Sequence, residues 1–254
     1  MRVAIAVGSY LLTPFVRLNL AQINTIWPDA PVLVSDDRSV NTEAIEAIAQ
    51  DAGACFITSG NRRGHCGAKV QSIVSGLSFA QQEGADILLF LNQRFVPIHL
   101  EFREFIESPF ADAKTHIVVA GRTTKSQIKL PASKYFNGLG LLTDVLAIRV
   151  NSISPADLLK AYTDGFKHGG FFIGLLIEPF LGKLLGSFFK DSAYVSSALS
   201  DANTTTPTFF RREQTPSADY QALAAQHGFS GEFDVRDWLE IEPRTYRCRP
   251  ELTT

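Results

Sequence analysis

Apolar and polar positions change period repeatedly over the first hundred residues. Val3 to Val7 is a short apolar run leading into Gly8-Ser9-Tyr10, and Thr13-Pro14 then offers an N-cap with proline at the first helical position. Ala30 to Ser35 is a second apolar run, closed by Asp36-Asp37. Asn41 is placed to cap a helix over Thr42 to Asp51, which Gly53 ends. Ala54 to Thr58 predicts a third strand. Gly60 to Gly67 reads as a glycine-rich, basic loop, followed by a helix from Ala68 to Glu83. Its Val70, Ile73, Val74 and Leu77 fall at helical spacing, and Gly84 stops it. Asp86 to Leu91 has no polar residue between its ends, as expected of a strand covered on both faces.

After Pro97 the pattern predicts a helix from about His99 to Ser108, a strand from Thr115 to Ala120, a polar loop from Gly121 to Lys134 and a strand from Leu142 to Val150. Ser154-Pro155-Ala156-Asp157 then starts a helix with a cap and an acid in its first turn. From Lys190 onward the periodicity weakens, apart from a helix at about Ser217 to His227.

Strands separated by helices of this length imply βαβ units and a parallel sheet, and the ligands of such sheets sit beyond the carboxyl ends of the strands. Here those ends carry Gly8-Ser9-Tyr10, Asp36-Asp37, Arg62-Arg63 with His65, and Asn92-Gln93-Arg94. Polar and charged residues therefore gather where a ligand would lie. Asp37, and with it Asp36, can accept from a base N–H or a ribose hydroxyl, or serve as a local turn cap. Arg62, Arg63 and His65 lie among Gly60, Gly64 and Gly67, so a phosphate can approach the backbone closely while guanidinium groups supply charge. The alternative is an exposed basic turn.

Two stretches carry a family resemblance. VLVSDDRSVNTEAI resembles the strand ending in Asp-Asp-x-Ser of family 2 glycosyltransferases of the GT-A fold. SGLSFAQQEGADILLFLNQRFVP resembles the helix, strand and D-x-D stretch of the same family, especially its rhamnosyltransferase-like branch. The similarity runs over about residues 3–97, with a weaker echo to about 190. It implies an α/β, Rossmann-like GT-A fold with a mostly parallel sheet and helices on both faces. It also implies one unit over 1–254, with 1–97 as the nucleotide-sugar-binding half and 98–254 as the acceptor-side half. By the same resemblance Ser9 and Tyr10 line the base pocket, and the partners are a nucleotide sugar and an unidentified acceptor.

The chain departs from that family at two places. Asn92-Gln93-Arg94 stands where the family keeps D-x-D, whose carboxylates hold a divalent cation on the diphosphate. An amide is a poor substitute for an anionic ligand and an arginine repels a cation, so no metal cofactor is expected in that mode. Arg94 is placed either to contact the diphosphate itself or to be a surface residue of a degenerate site. GGFFIGLLIEPFLGKLL resembles the acceptor-side segment, in which Glu178 matches the first acid while Pro179 replaces the usual base. Glu178 is the candidate base, its alternative being a buried glutamate satisfied by a partner. Asp144 is an outside candidate, and His227 one for closing the sugar pocket.

Composition narrows the remaining classes. With 254 residues and 45% hydrophobic content the chain can bury a substantial core. A formal net charge of −2 gives no global basic field for nucleic acid. The three cysteines, Cys55, Cys66 and Cys248, lack disulfide-framework or zinc spacing, which fits a reducing cytoplasm, and the opening residues predict no export signal. Gly169 to Phe189 is apolar enough to suggest a membrane span, but Glu178-Pro179 in its middle favours a buried helix or helix pair, with peripheral membrane contact left open. No P-loop, nucleophile elbow or H-E-x-x-H is present. Two function classes stand: a glycosyltransferase without the standard metal site, and a catalytically inactive GT-A-like binding or assembly module.

Overall fold

The computed structural model describes residues 1–10, 13–93, 95–97, 100–121, 141–169, 184–185, 188–189, 193–196, 204–205, 222 and 225–226. The elements that build the sheet's first half are β1 (Val3–Ser9), α1 (Thr13–Ile26), β2 (Val32–Asp36), α2 (Thr42–Asp51), β3 (Cys55–Thr58), α3 (Gly64–Gln82) and β4 (Ile87–Asn92). They are followed by β5 (Val96–Pro97), α4 (Glu101–Glu107), β6 (Ile117–Gly121), β7 (Leu141–Arg149), α5 (Pro155–Gly169), β8 (Ala193–Ser196) and β9 (Thr204–Thr205).

Among the described residues the strands form a seven-stranded sheet in the order β3-β2-β1-β4-β7-β6-β8, and β5 and β9 pair separately. Strands β3, β2, β1 and β4 run parallel, as the alternation of strand and helix requires. Strand β7 then enters antiparallel to β4 and to β6, while β8 is parallel to β6. The sheet is thus mostly parallel with helices on both faces.

Alternation along each central strand divides the core in two. Val3, Ile5 and Val7 of β1 and Ile87, Leu89 and Leu91 of β4 pack with α1, α2 and α4, through Val16, Leu20, Ile23, Ile45, Ile48, Phe102 and Ile106. On the other face Ala4 and Ala6 of β1 with Leu88 and Phe90 of β4 meet Val70, Ile73, Val74 and Leu77 of α3 and Leu158 and Tyr162 of α5. Small residues on β1 let α3 come unusually close. A methyl built on Gly76 would stand 2.8 Å from the Ala6 Cβ, so glycine is required there by contact. That close seating fixes the depth at which the first turns of α3 hang over the strand ends.

The helix terminations follow the sequence. Gly53 closes α2 and Gly84 closes α3, both with positive φ (73° and 63°). Ser154 caps α5 by accepting the Asp157 N–H at 3.0 Å. Asn41 occupies the N-cap position of α2 but makes no side-chain capping bond, and the carboxylate of Asp36 organises that turn instead. The predicted loop 60–67 also differs: α3 already begins at Gly64, with Arg63 at its N-cap position. Asp37 explains the early start, because its carboxylate sits at the helix N-terminus and accepts the Arg63 N–H at 2.8 Å.

Among the described residues no helix is long and apolar enough to cross a membrane. Most of the apolar segment 169–189, and most of the predicted helix over 217–227, lie outside the described residues.

Candidate functional site

The four parallel strands stop at one level. Ser9 pairs with Asp36, Asp36 with Thr58, and Gly8 with Asn92. The ladder continues one step into the loops through Asp37 N–H to Ser9 O (3.1 Å), Ser59 N–H to Asp36 O (3.1 Å) and Gln93 N–H to Gly8 O (2.9 Å). The described candidates at the strand ends therefore share a single rim.

The two adjacent aspartates have different employment. Asp36 is 2% exposed, and its carboxylate accepts the Ser39 N–H (2.8 Å), the Ser39 hydroxyl (2.6 Å) and the Thr42 hydroxyl (2.7 Å). Those bonds hold the β2–α2 turn, in which Arg38 adopts φ 53°, a left-handed conformation unusual for a side chain with a Cβ. Asp36 is thus the turn's internal acceptor, which is the local-cap reading rather than the base-contacting one. Asp37, 5% exposed, faces across the rim: its Oδ1 accepts from the Arg63 N–H and, at 3.3 Å, from the Ser59 hydroxyl.

The cations approach the same place from β3 and α3. Half-buried Arg62 lays its guanidinium over the ring of Tyr10, 4.7 Å from the centroid, a cation–π contact across the rim. Arg63 sends Nη1 back along α3 to Gln71 Oε1 (2.5 Å). His65 lies in the first turn of α3, not in a loop.

A residue that the motif reading passed over is Lys69, 4% exposed on α3. It shares a helix face with Ser72 and Gly76, three and seven positions on. Ser72 donates to or accepts from the Ser35 hydroxyl at 3.1 Å, and its Oγ lies beside Gly8, while Gly76 abuts Ala6. That progression places Lys69 one turn beyond the end of β1 and β2, on the rim. The sequence signal was a lysine inside an otherwise small and apolar stripe of α3.

At the end of β4 the described side chains are neutral amides. Asn92 is half-buried and its carbonyl accepts the Phe95 N–H at 2.7 Å, making a tight turn. Gln93 is 6% exposed, and its side-chain amide bonds the main chain of Tyr10 on both sides: Oε1 accepts the Tyr10 N–H (2.7 Å) and Nε2 donates to the Tyr10 carbonyl (2.6 Å). Gln93 was expected to face the ligand directly, but its buried amide is committed to protein main chain. Ser9 is 5% exposed on the α1 side of β1, and among the described residues its hydroxyl has no hydrogen-bond partner. Arg94, Glu178 and His227 lie outside the described residues, as does the side chain of Asp144, whose backbone belongs to β7.

The donor set bears on a divalent cation. Asn92 is an amide, Asp36 is used by Ser39 and Thr42, and Asp37 by Arg63 and Ser59. Among the described residues no group of three histidine, cysteine, aspartate or glutamate side chains comes together. Of the triplet at the end of β4, Asn92 offers a divalent ion a neutral amide oxygen where a carboxylate would be the stronger ligand.

No family model matches the sequence, and no curated protein matches it in sequence. Solved structures do match the fold. Glucosyl-3-phosphoglycerate synthase from Mycobacterium tuberculosis, in complex with Mn²⁺ and UDP-glucose, superposes with a TM-score of 0.51 at 14% identity, covering 76% of this chain and 68% of that one. Mannosyl-3-phosphoglycerate synthase from Rubrobacter xylanophilus gives 0.47 at 14% identity, over 60% of this chain and 55% of that one. The mannosyltransferase from Pyrobaculum calidifontis in complex with GDP-mannose and Mn²⁺ gives 0.44 at 16% identity, over 63% and 46%. The chain therefore spans only about half to two thirds of the length of several of these proteins. The first of these likenesses, with the strand order above, identifies the fold as GT-A, the Rossmann-like architecture of nucleotide-sugar glycosyltransferases.

Proposed function

We propose that the chain is a glycosyltransferase that takes a sugar from a nucleoside-diphosphate sugar and holds the diphosphate with its own cations. One observation carries the reading: on a GT-A fold, Asp37, Arg62, Arg63 and the buried Lys69 meet on one rim at the ends of the parallel strands, under the N-terminus of α3. A carboxylate suits ribose hydroxyls or a base N–H. Guanidinium, ammonium and helix N–H groups suit phosphate oxygens. Arg94, next after Gln93 in the sequence, would add to that charge.

In the transfer, the acceptor hydroxyl attacks the anomeric carbon while the bond from that carbon to the diphosphate oxygen breaks, its electron pair leaving on the diphosphate. The developing negative charge is where Arg62, Lys69 and Arg94 would act, doing with fixed cations what a metal ion does elsewhere. Glu178 is the residue proposed to take the hydroxyl proton in an inverting transfer. Mn²⁺ accompanies the sugar nucleotide in the glucosyl-3-phosphoglycerate synthase complex, but the amide at Asn92 and the turn-bound Asp36 do not favour that ion here.

The test is turnover of UDP-, GDP- and dTDP-sugars, followed as nucleoside diphosphate released. The wild-type chain releases it in the presence of chelator, and Lys69→Ala lowers the rate by roughly 10- to 100-fold, the size expected for one charge-assisted contact to a phosphate. A second reading, a binding module without turnover, draws on the neutral amides at the β4 end. It prevails if a nucleotide binds but no donor is consumed and Lys69→Ala changes only affinity.

A further inference from the structure

Gln93 stands apart from the other rim residues in what it bonds. In an antiparallel pair two residues exchange an N–H and a C=O with each other, a pattern that the parallel strands β1 and β4 do not make through their main chains. The Gln93 amide makes that exchange with Tyr10 from a side chain, at 2.7 and 2.6 Å. Main-chain pairing of β1 with β4 ends at Gly8 and Asn92, so the amide carries the ladder past its natural end, out to Tyr10. The same residue is held by its own main chain: its N–H donates to Gly8 O at 2.9 Å, and its carbonyl accepts from Asn19 Nδ2 at 2.6 Å. Asn19 is fully buried on α1, so the anchor is rigid. Gln93 thus bolts the exits of β1 and β4 and the helix α1 to one another.

What this bolt fixes is the residue that carries Arg62. The Tyr10 ring lies 4.7 Å from the Arg62 guanidinium, and the next residue along, Arg63, is tied by its N–H to Asp37. We infer that Gln93 is a positioning residue which sets the Tyr10 main chain, and through the Tyr10 ring the Arg62 guanidinium, in place to receive a nucleoside diphosphate. The inference rests on the transferase reading above and deepens it, because it gives the middle of the altered triplet a role in which it never touches the ligand. An arginine side chain loses much rotamer freedom when it is fixed, and ordering it beforehand removes that loss from the binding step. The place where related folds bring in a cation would then organise a cation already on the chain.

The experiment is a double-mutant cycle read by calorimetric titration of UDP and of GDP into the wild-type chain, Arg62→Ala, Gln93→Met and the double variant, each first checked for a cooperative melt. Each single change is expected to weaken binding roughly tenfold, and the double change also roughly tenfold rather than about a hundredfold, because Gln93 acts only through Arg62. Wild-type affinity in Gln93→Met overturns the inference, and so does a double variant weakened by the full product of the two. If Gln93→Met does not fold, Gln93→Asn replaces it in the cycle, since it keeps a neutral amide but falls one methylene short of the Tyr10 main chain. Amide hydrogen exchange in the unaltered chain adds a check that needs no substitution: the Tyr10 N–H is protected, and fast exchange there overturns the latch. If the wild-type chain binds neither nucleotide, the transferase reading fails and the inference falls with it, a result visible in the first titration and distinct from the others.

Discussion

At the ends of β2 and β3 the rim is charged: Asp36 and Asp37 close one strand, Arg62 and Arg63 follow the other, and Lys69 is buried on α3. At the end of β4 the described side chains are neutral, with Asn92 in a tight turn and Gln93 buried against Tyr10. Both regions sit on the same parallel ladder at the same level, so the backbone does not distinguish them. What differs is where each side chain spends its hydrogen bonds. On the charged side, one acid builds the turn and its neighbour ties the start of α3. On the β4 side the Gln93 amide holds main chain. Among the described residues the charged side chains of the rim therefore lie on one flank, and Gln93 on the other flank braces the strand exits.

Three substitutions probe that contrast, in descending order of expected effect. Asp36→Ala removes a buried carboxylate that satisfies one N–H and two hydroxyls, and should cost about 3 kcal/mol in denaturant unfolding. A loss below about 1 kcal/mol would mean that the β2–α2 turn does not depend on it, and the division of labour between the aspartates would collapse. Gly76→Ala forces a methyl against Ala6 and should cost about 2 kcal/mol, while shifting α3 and with it Lys69. Nucleotide affinity measured on the same variant should fall with stability, since the depth of α3 sets the height of that lysine over the rim. Asp37→Asn keeps an acceptor for the Arg63 N–H and so should change stability by only about 1 kcal/mol, yet weaken nucleotide binding roughly tenfold. Equal effects of the Asp36 and Asp37 changes on affinity would erase the distinction drawn between them.

The sheet's first four strands were legible because apolar runs bounded by Gly, Asp and Asn leave little choice, and the rim followed from the rule that ligands gather at strand ends. The direction of β7 was not legible, since an apolar run carries no sign of whether its neighbour runs with it or against it. The start of α3 was placed too late. Gly64 and Gly67 are weak helix formers, at about 1 kcal/mol each against alanine, and the Asp37 carboxylate that supports the start of the helix comes from 26 residues away, just past β2. Asp36 and Asp37 are identical in kind, and their roles separate only through the turn that buries the first. Gln93 looked like the remnant of a motif because its partner, Tyr10, is 83 residues away in sequence. Lys69 was hidden by position: a lysine in a helical stripe reads as a solvated edge until the strand beneath it is known.

The central claim is that the charged flank binds a nucleoside diphosphate without a divalent ion. Thermal melting of the wild-type chain with UDP and with GDP, in chelator and again with Mn²⁺, tests it most directly. Saturating nucleotide at about a hundredfold over Kd should raise the melting temperature by roughly 5–10 °C in chelator, with no further rise on adding Mn²⁺. A shift that appears only with Mn²⁺, or no shift under either condition, would contradict it.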